Sequence, residues 1–244
     1  RCRAAFGGAI YANAATVDLQ NTTFQQCIST ESGGALVARQ GSLVSCHNCS
    51  FTACQAAEGG SVFQSGGELA LHGCIFRDSQ AISSHGGAVV ALNAKLTIGN
   101  CRFEGCAADQ AGGAVLSLFG QMDIHSSTFF DNLASHNDGG CVYVQGSSST
   151  VAMTSFLRCN SGLKGGAIAL GPNTTLGVTS VNISKGLGKD GGQFACSGKS
   201  RAMLTNVHIQ DNTQLLIADR GGGIYVDSCR VELHHSSIRA HQVN

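Results

Sequence analysis

The sequence predicts an all-β solenoid: a single-stranded parallel β-helix of about nine coils, each of about 26 residues with three short strands. Three observations predict it. Gly-Gly pairs recur at 7, 33, 59, 86, 112, 139, 165, 191 and 221. Between them, apolar residues are spaced two apart, the period of a strand and not of a helix. Pro is almost absent, with one in 244 residues, as expected where most backbone N–H groups are needed for pairing.

The elements of one repeat follow in order. A glycine pair suits a tight corner, where the backbone takes positive φ or approaches a neighbour closely. Three residues after the first Gly stands a constant apolar row of Ile10, Leu36, Val62, Val89, Val115, Val142, Ile168, Phe194 and Ile224. A second strand carries two inward rows, represented by Leu69 and Leu71 or Leu96 and Ile98. A third carries the anchor row of Phe24, Phe51, Phe76, Phe103, Phe129 and Phe156, continued by Ile183, Ile209 and Ile238. Coils stacked in parallel at about 4.8 Å turn these rows into like-on-like columns. Asp138, Lys164, Asp190 and Arg220 precede successive glycine pairs, so stacked neighbours alternate in sign, which favours this register.

The unbroken period reads as one domain spanning residues 1–244. The chain starts with Arg1 and stops just after an anchor residue, so it reads as a segment of a longer protein. With 15 basic and 15 acidic residues it lacks the electrostatic footprint of a nucleic-acid or anionic-membrane binder. No apolar run approaches the roughly 20 residues of a membrane-spanning helix. Twelve Cys and sequons at Asn21, Asn48, Asn173 and Asn182 favour a secreted, oxidising setting. Asn21 and Asn48 occupy one outward row on neighbouring coils. Two glycans about 4.8 Å apart would crowd, so at most partial occupancy of one is expected.

Gly86-Gly87-Ala88-Val89 and Gly165-Gly166-Ala167-Ile168, with Phe129-Phe130-Asp131-Asn132 and Phe103…Cys106, carry a family resemblance. The pattern resembles the GGA(I/L/V)/FxxN repeats of polymorphic outer-membrane protein passengers. More broadly it is similar to the right-handed parallel β-helix repeats of pectate lyases, adhesin passengers and large surface proteins. The resemblance implies a right-handed coil and a surface-exposed, elongated, adhesive or structural role. Cys replaces Asn at most of the Phe-x-x-Asn positions.

Cysteines form two rows. One, three after the anchor, holds Cys27, Cys54, Cys106 and Cys159, and Cys2 falls at the same place before its own Gly-Gly; the other, two before the anchor, holds Cys49, Cys74 and Cys101. Neighbouring coils bring stacked Cα atoms within disulfide range, which allows Cys27–Cys54 and Cys74–Cys101. Pairing within a coil, Cys49–Cys54 and Cys101–Cys106, is equally open. Cys46 sits in a Leu/Ile/Val row and reads as core. Cys46-His47-Asn48-Cys49, with His72 in the next coil, offers a CxxC, but the strand pattern sends Cys46 inward and Asn48 outward, so no metal or other cofactor is expected. The nine His show no shared row and read as solvated or turn residues. Gly186-Leu187-Gly188-Lys189-Asp190-Gly191 matches a phosphate-loop pattern but opens no helix.

Asp78, Asp131 and Asp211 share a row but not adjacent coils, too far apart for one catalytic or calcium site, so no catalytic residue is assigned and the protein is expected not to be an enzyme. One outward row is apolar, through Tyr11, Val37, Phe63, Val90, Leu116, Tyr143 and Tyr225, and reads as a contact stripe. Together these features predict a non-enzymatic extracellular structural repeat protein. It would be a rigid block of a surface fibril, filament or coat, meeting copies of itself or other segments of the same long chain laterally or end to end. An adhesin or glycan-binding module is the alternative, and a polysaccharide lyase or hydrolase the weaker one.

Overall fold

The computed structural model describes residues 2–210 and 220–239. Three parallel sheets wrap one continuous core. Sheet I has seven strands, from Arg3–Phe6 to Asn160–Ser161. Sheet II has nine strands, from Ile10–Asn13 to Ile224–Asp227, so eight full turns separate its first strand from its last. Sheet III takes the rest of each coil as two short strands, such as Lys95–Gly99 and Arg102–Glu104, and has 16 strands in all. These are the two strands that the Leu and Phe rows predict, placed in one sheet on either side of a corner, and the short strand of sheet I is the one the rows did not predict. Only Thr175–Ser184 and Arg201–Gln210 run through that corner as single ten-residue strands.

Register follows the repeat. Val89 pairs with Val115, Leu96 with Met122, and Phe103 with Phe129. Five ring contacts run unbroken from Phe24 to Phe156, with centroids 4.7–4.9 Å apart and planes within 13°. The ring spacing equals the strand spacing, so stacking the backbone stacks the rings. Each such contact adds about 0.5–1.5 kcal/mol beyond burial.

Corners are made by single residues in the left-handed region. In one coil these are Gly86, Asn93, Asn100 and Gly105, with φ of 64°, 49°, 54° and 62°. Glycine and asparagine tolerate this region; other L-residues pay about 1–2 kcal/mol for it. Ala14, Met153 and Arg158 nevertheless occupy such corners, because neighbouring coils hold the same path and keep the backbone paired around it. The Asn100 amide, for instance, donates to the carbonyl of His125 in the next coil at 3.2 Å.

The two glycines of each pair answer different constraints. A Cβ on Gly86 would meet Val90 and the Val89 carbonyl, beside its positive φ. Gly87 has no positive φ, but a Cβ there would strike the carbonyl of Gly113 in the next coil. Gly222 holds the same place in the motif, and a Cβ there would meet nothing within 4 Å among the described residues. Gly87→Ala is therefore expected to cost about 1–3 kcal/mol or more by overpacking, and Gly222→Ala to stay within about 0.5 kcal/mol. Urea unfolding of both variants checks this, and equal losses would show that the glycine requirement is not inter-coil contact.

Candidate functional site

The core is filled by apolar columns from Phe24 to Ile209, so any chemistry must lie on the outer faces. The apolar row expected to face solvent does not do so along most of its length. Val37, Val90 and Leu116 are fully buried and Phe63 is 5% exposed. With Ala111 they form a second hydrophobic cluster, against which Tyr143 packs. The cause is the Gly-Gly corner, which folds back over sheet II and seats the first glycine on the side chain four residues later, Gly86 on Val90 and Gly112 on Leu116. Arg39 closes the first coils, with its guanidinium 4.7 Å from the ring centre of Phe6 and 5.6 Å from that of Phe63. The row is thus a satellite core. Tyr11, 52% exposed, is open, and Tyr225 is half-covered, with Arg220 5.1 Å and Lys164 5.6 Å from its ring centre.

The cysteine pairing also differs from expectation. The bridges are Cys141–Cys159, with Cα atoms 5.4 Å apart, and Cys196–Cys229, at 6.0 Å. Cys2, Cys27, Cys49, Cys54, Cys74, Cys101 and Cys106, the expected partners, are free thiols, as is Cys46. The reason lies in the corners. Asn132 accepts the Cys106 amide at 2.9 Å through Oδ1 and donates through Nδ2 to the Phe103 carbonyl at 3.2 Å. Cys106 and Cys54, in the same row, donate weakly to the Phe76 and Phe24 carbonyls at 3.8 and 3.9 Å. In the other row, Cys101 Sγ donates to the Gly99 carbonyl as Ser127 Oγ does to His125, at 3.3 and 2.8 Å. These thiols cap corner carbonyls in place of Asn, Ser and Thr. Cys46 lies in the core as expected, 0% exposed.

A sequence signal for the Cys141–Cys159 bridge existed. Cys141 stands two after Gly139, in a row otherwise filled by residues such as Ala114 and Ser61. Ser61 and Ser79, also 18 residues apart, join their hydroxyls at 2.7 Å across the core at the place where Cys141 and Cys159 bond three coils later. Burial pushes the Cys106 thiol up to about 12 and, with neighbouring Cys54 and Cys2, the Cys27 thiol up to about 11. The Cys101 thiol lowers that of Cys74 to about 7. Burial nevertheless closes all seven buried thiols to reagent, so alkylation at pH 8 is expected to label Cys2, the exposed thiol, quickly and the seven buried ones only on unfolding. Mass spectrometry should count eight adducts in denaturant without reductant. A mass showing a Cys27–Cys54 or Cys74–Cys101 link would contradict this pairing.

The outer ionic groups pair from coil to coil. Arg158 holds Asp131, with Nη2 2.8 Å from Oδ2; Arg220 holds Asp190 at 2.8 Å; Arg77 reaches Glu104 of the next coil at 3.3 Å, where Arg102 of the same strand as Glu104 joins at 3.2 Å. Lys164, Asp190 and Arg220 are bridged in the register their alternating signs predicted. Asp78 lies over the corner at Gly105, and Asp211 lies outside the described residues. Asp78 and Asp131 thus serve separate corners. Among the described residues no three His, Cys, Asp or Glu side chains form a ready metal cage, and no helix is long and apolar enough to cross a membrane. Lys189 and Asp190 lead into a strand of sheet II, not a helix.

All four sequon asparagines are exposed. Asn21, Asn48 and Asn173 take left-handed corners with φ of 49°, 52° and 57°, the conformation that Asn93 and Asn100 adopt without being sequons. Asn182 lies within a strand and pairs with Ser155.

The outer face of sheet III carries a feature the sequence reading missed. His47, His72 and His125 occupy one row, with Gly99 between the last two; His234 stands in it again, beside Thr205. Counting back four residues from each anchor would have found it. Burial, then the charges of His47 and His125, lower the pKa of His72, and burial lowers that of His85. Since both bind fewer protons folded than unfolded, their contribution is present above pH ~6.5 and is lost as pH falls below it. Burial raises Glu58 and Asp138, and these act in the opposite sense at lower pH. The melting temperature is therefore expected to drop from pH 7.5 to 5.5, and the His72→Gln/His85→Gln variant to flatten that dependence. An unchanged slope in the variant would refute the assignment.

Shallow recesses on the outer faces include three among the described residues. One of about 390 Å³ lies beside Asp18, His47 and Glu68 on sheet III. The others lie on sheet I, about 470 Å³ beside Gln26, Gln55 and Gln80, and about 270 Å³ beside Ala107 and Asp109.

Parallel coils, three sheets and left-handed corners define a β-helix, and the model of the right-handed β-helix region matches residues 5–156. The chain belongs to the right-handed β-helix family. The match is to the coil architecture at large and does not extend to pectate lyases or outer-membrane passengers in particular. No curated protein and no solved structure matches the chain.

Proposed function

We propose that this protein is a non-enzymatic extracellular structural element, a rigid β-helical block of a surface fibril, filament or coat. The observation that carries the reading is the unbroken one-repeat register, in which outer charges also pair between adjacent coils. The carboxylates of Glu104, Asp131, Asp190 and Glu232 are engaged by Arg and are poorly placed for acid–base work, which needs a carboxylate free to gain and lose a proton. Two disulfides and the lack of a membrane-crossing helix among the described residues are compatible with an extracellular setting. With most of the apolar row sealed inside, lateral contact through that stripe loses its support. Self-association end to end, or laterally through another outer face, is the mode this reading retains.

A glycan-binding role is the second reading, favoured by the amide-lined recess at Gln26, Gln55 and Gln80. Negative-stain images across a concentration series test the first. Filaments or lengthening rods are expected, built on a unit of roughly 40 Å for nine coils. Single particles of one length at every concentration, with clear hits on a glycan array, would favour the second. Cleavage of pectin or alginate, lost on changing one carboxylate, would replace both with an enzyme.

A further inference from the structure

The larger recess on sheet I lies where the coil-to-coil pairing of outer charges is interrupted. Its corner row runs Gln26, Ala53, Asp78 and Gly105 on consecutive coils, all in the left-handed region. Further along the same row, Asp131 is held by Arg158 of the next coil. Asp78 has no such partner. It leans over Gly105, which has no side chain to offer, and the methyl of Ala53 on its other side cannot pair with it. That methyl also leaves a gap in the row, because Gln26 and Asp78 on either side of it stand two strand spacings apart, roughly 10 Å. The adjoining row of sheet I, in which Arg3, Ile28, Gln55 and Gln80 follow one another in register, forms the other wall. Together they enclose the recess of about 470 Å³. Among the described residues, the side chains of Arg3, Gln55, Asp78 and Gln80 make no hydrogen bond or ion pair with the protein. The backbone beneath them is already committed: the Gln55 and Gln80 amides donate to the Cys27 and Cys54 carbonyls, each at 2.9 Å.

We propose that this recess binds one ring of an uncharged glycan, a neutral pyranose seated over the methyl of Ala53. The proposal goes beyond the structural role and rests on the glycan-binding reading, to which it gives a place and a sugar class. A primary amide both donates and accepts, as a hydroxyl does, and Asp78 only accepts. Neighbouring hydroxyls of a sugar ring match such a set. The Asp78 carboxylate is balanced by the Arg3 guanidinium, so the recess has no net charge to draw an anionic sugar, and the unpaired carboxylate disfavours a uronate directly. Ala53 and Ile28 supply the apolar surface that such a site combines with a few polar groups. An extended peptide binds a sheet by adding to it as a strand through free backbone groups, and here the neighbouring coils already use them.

The test titrates the full chain by calorimetry and saturation-transfer resonance. The neutral probes are cellobiose, mannobiose and N,N′-diacetylchitobiose, and digalacturonic acid is the charged one. At least one neutral probe is expected to bind, and digalacturonic acid to bind at least roughly tenfold more weakly. Asp78→Asn should weaken the neutral probe by about tenfold, the loss of one hydrogen bond to a charged group. Ala53→Arg should abolish binding by filling the gap and pairing with Asp78. Arg158 already occupies this row at φ 53°, and circular dichroism reports whether the variant keeps its strands. Asp123→Asn, on sheet III, should leave affinity unchanged. Binding that survives both Ala53→Arg and Asp78→Asn would overturn the site while leaving the glycan reading standing. Preference for digalacturonic acid, or for an extended Gly-Ser peptide, would overturn the neutral-sugar class. If no probe binds, the proposal fails, and the glycan array then decides whether the broader reading fails with it.

Discussion

Everything in this molecule depends on one constraint: each coil hydrogen-bonds to the next in parallel with a shift of one repeat. That shift places Phe103 on Phe129 and Val89 on Val115. It also makes burial self-consistent, since a large side chain in one coil needs a similar one above and below to fill the same cross-section. Stability in such a body is approximately a sum over neighbouring coils, so no single column dominates. The disulfide between Cys141 and Cys159 and the hydroxyl pair between Ser61 and Ser79 are alternative ways of filling the same place.

The corners are where the constraint is most demanding. Four times in a coil such as 86–111, the chain turns by placing one residue in the left-handed region. A turn would ordinarily leave backbone groups without partners. Here the next coil turns at the same place and supplies them, and small polar side chains pointing inward supply the rest. Asn132 shows the full form of the cap, with one bond given and one received. The thiols of Cys54 and Cys106 are the reduced form, donating to the equivalent carbonyls of the preceding coil. Buried cysteine here is mostly a corner residue, which accounts for six of the eight left unbridged, Cys46 being core and Cys2 exposed.

On the outside, the same stacking turns single residues into rows. Ionic groups pair up the axis and histidines meet across a glycine. Exposed ion pairs of this kind contribute little each, about 0–1 kcal/mol, but their direction along the axis disfavours slipped registers. The outer faces are open and shallow, suited to contact with extended partners.

Fold class, period, column membership and the alternating charges at Asp138, Lys164, Asp190 and Arg220 were legible from the sequence, because they depend only on spacing along the chain, which the stacking preserves. The histidine row was legible by the same count and was overlooked. The fate of the apolar row from Val37 to Leu116 was not legible. A two-residue period says which face of a strand a side chain takes, but not whether another part of the coil folds back to cover it. Cysteine pairing was decided the same way: stacking brought Cys27 near Cys54 as expected, yet hydrogen bonds to corner carbonyls turned those thiols to other partners, while Cys141 met Cys159 across the interior. Spacing along the chain determines which residues share a column. Only the closed path of the coil, set by where each left-handed corner bends it, determines which columns face one another.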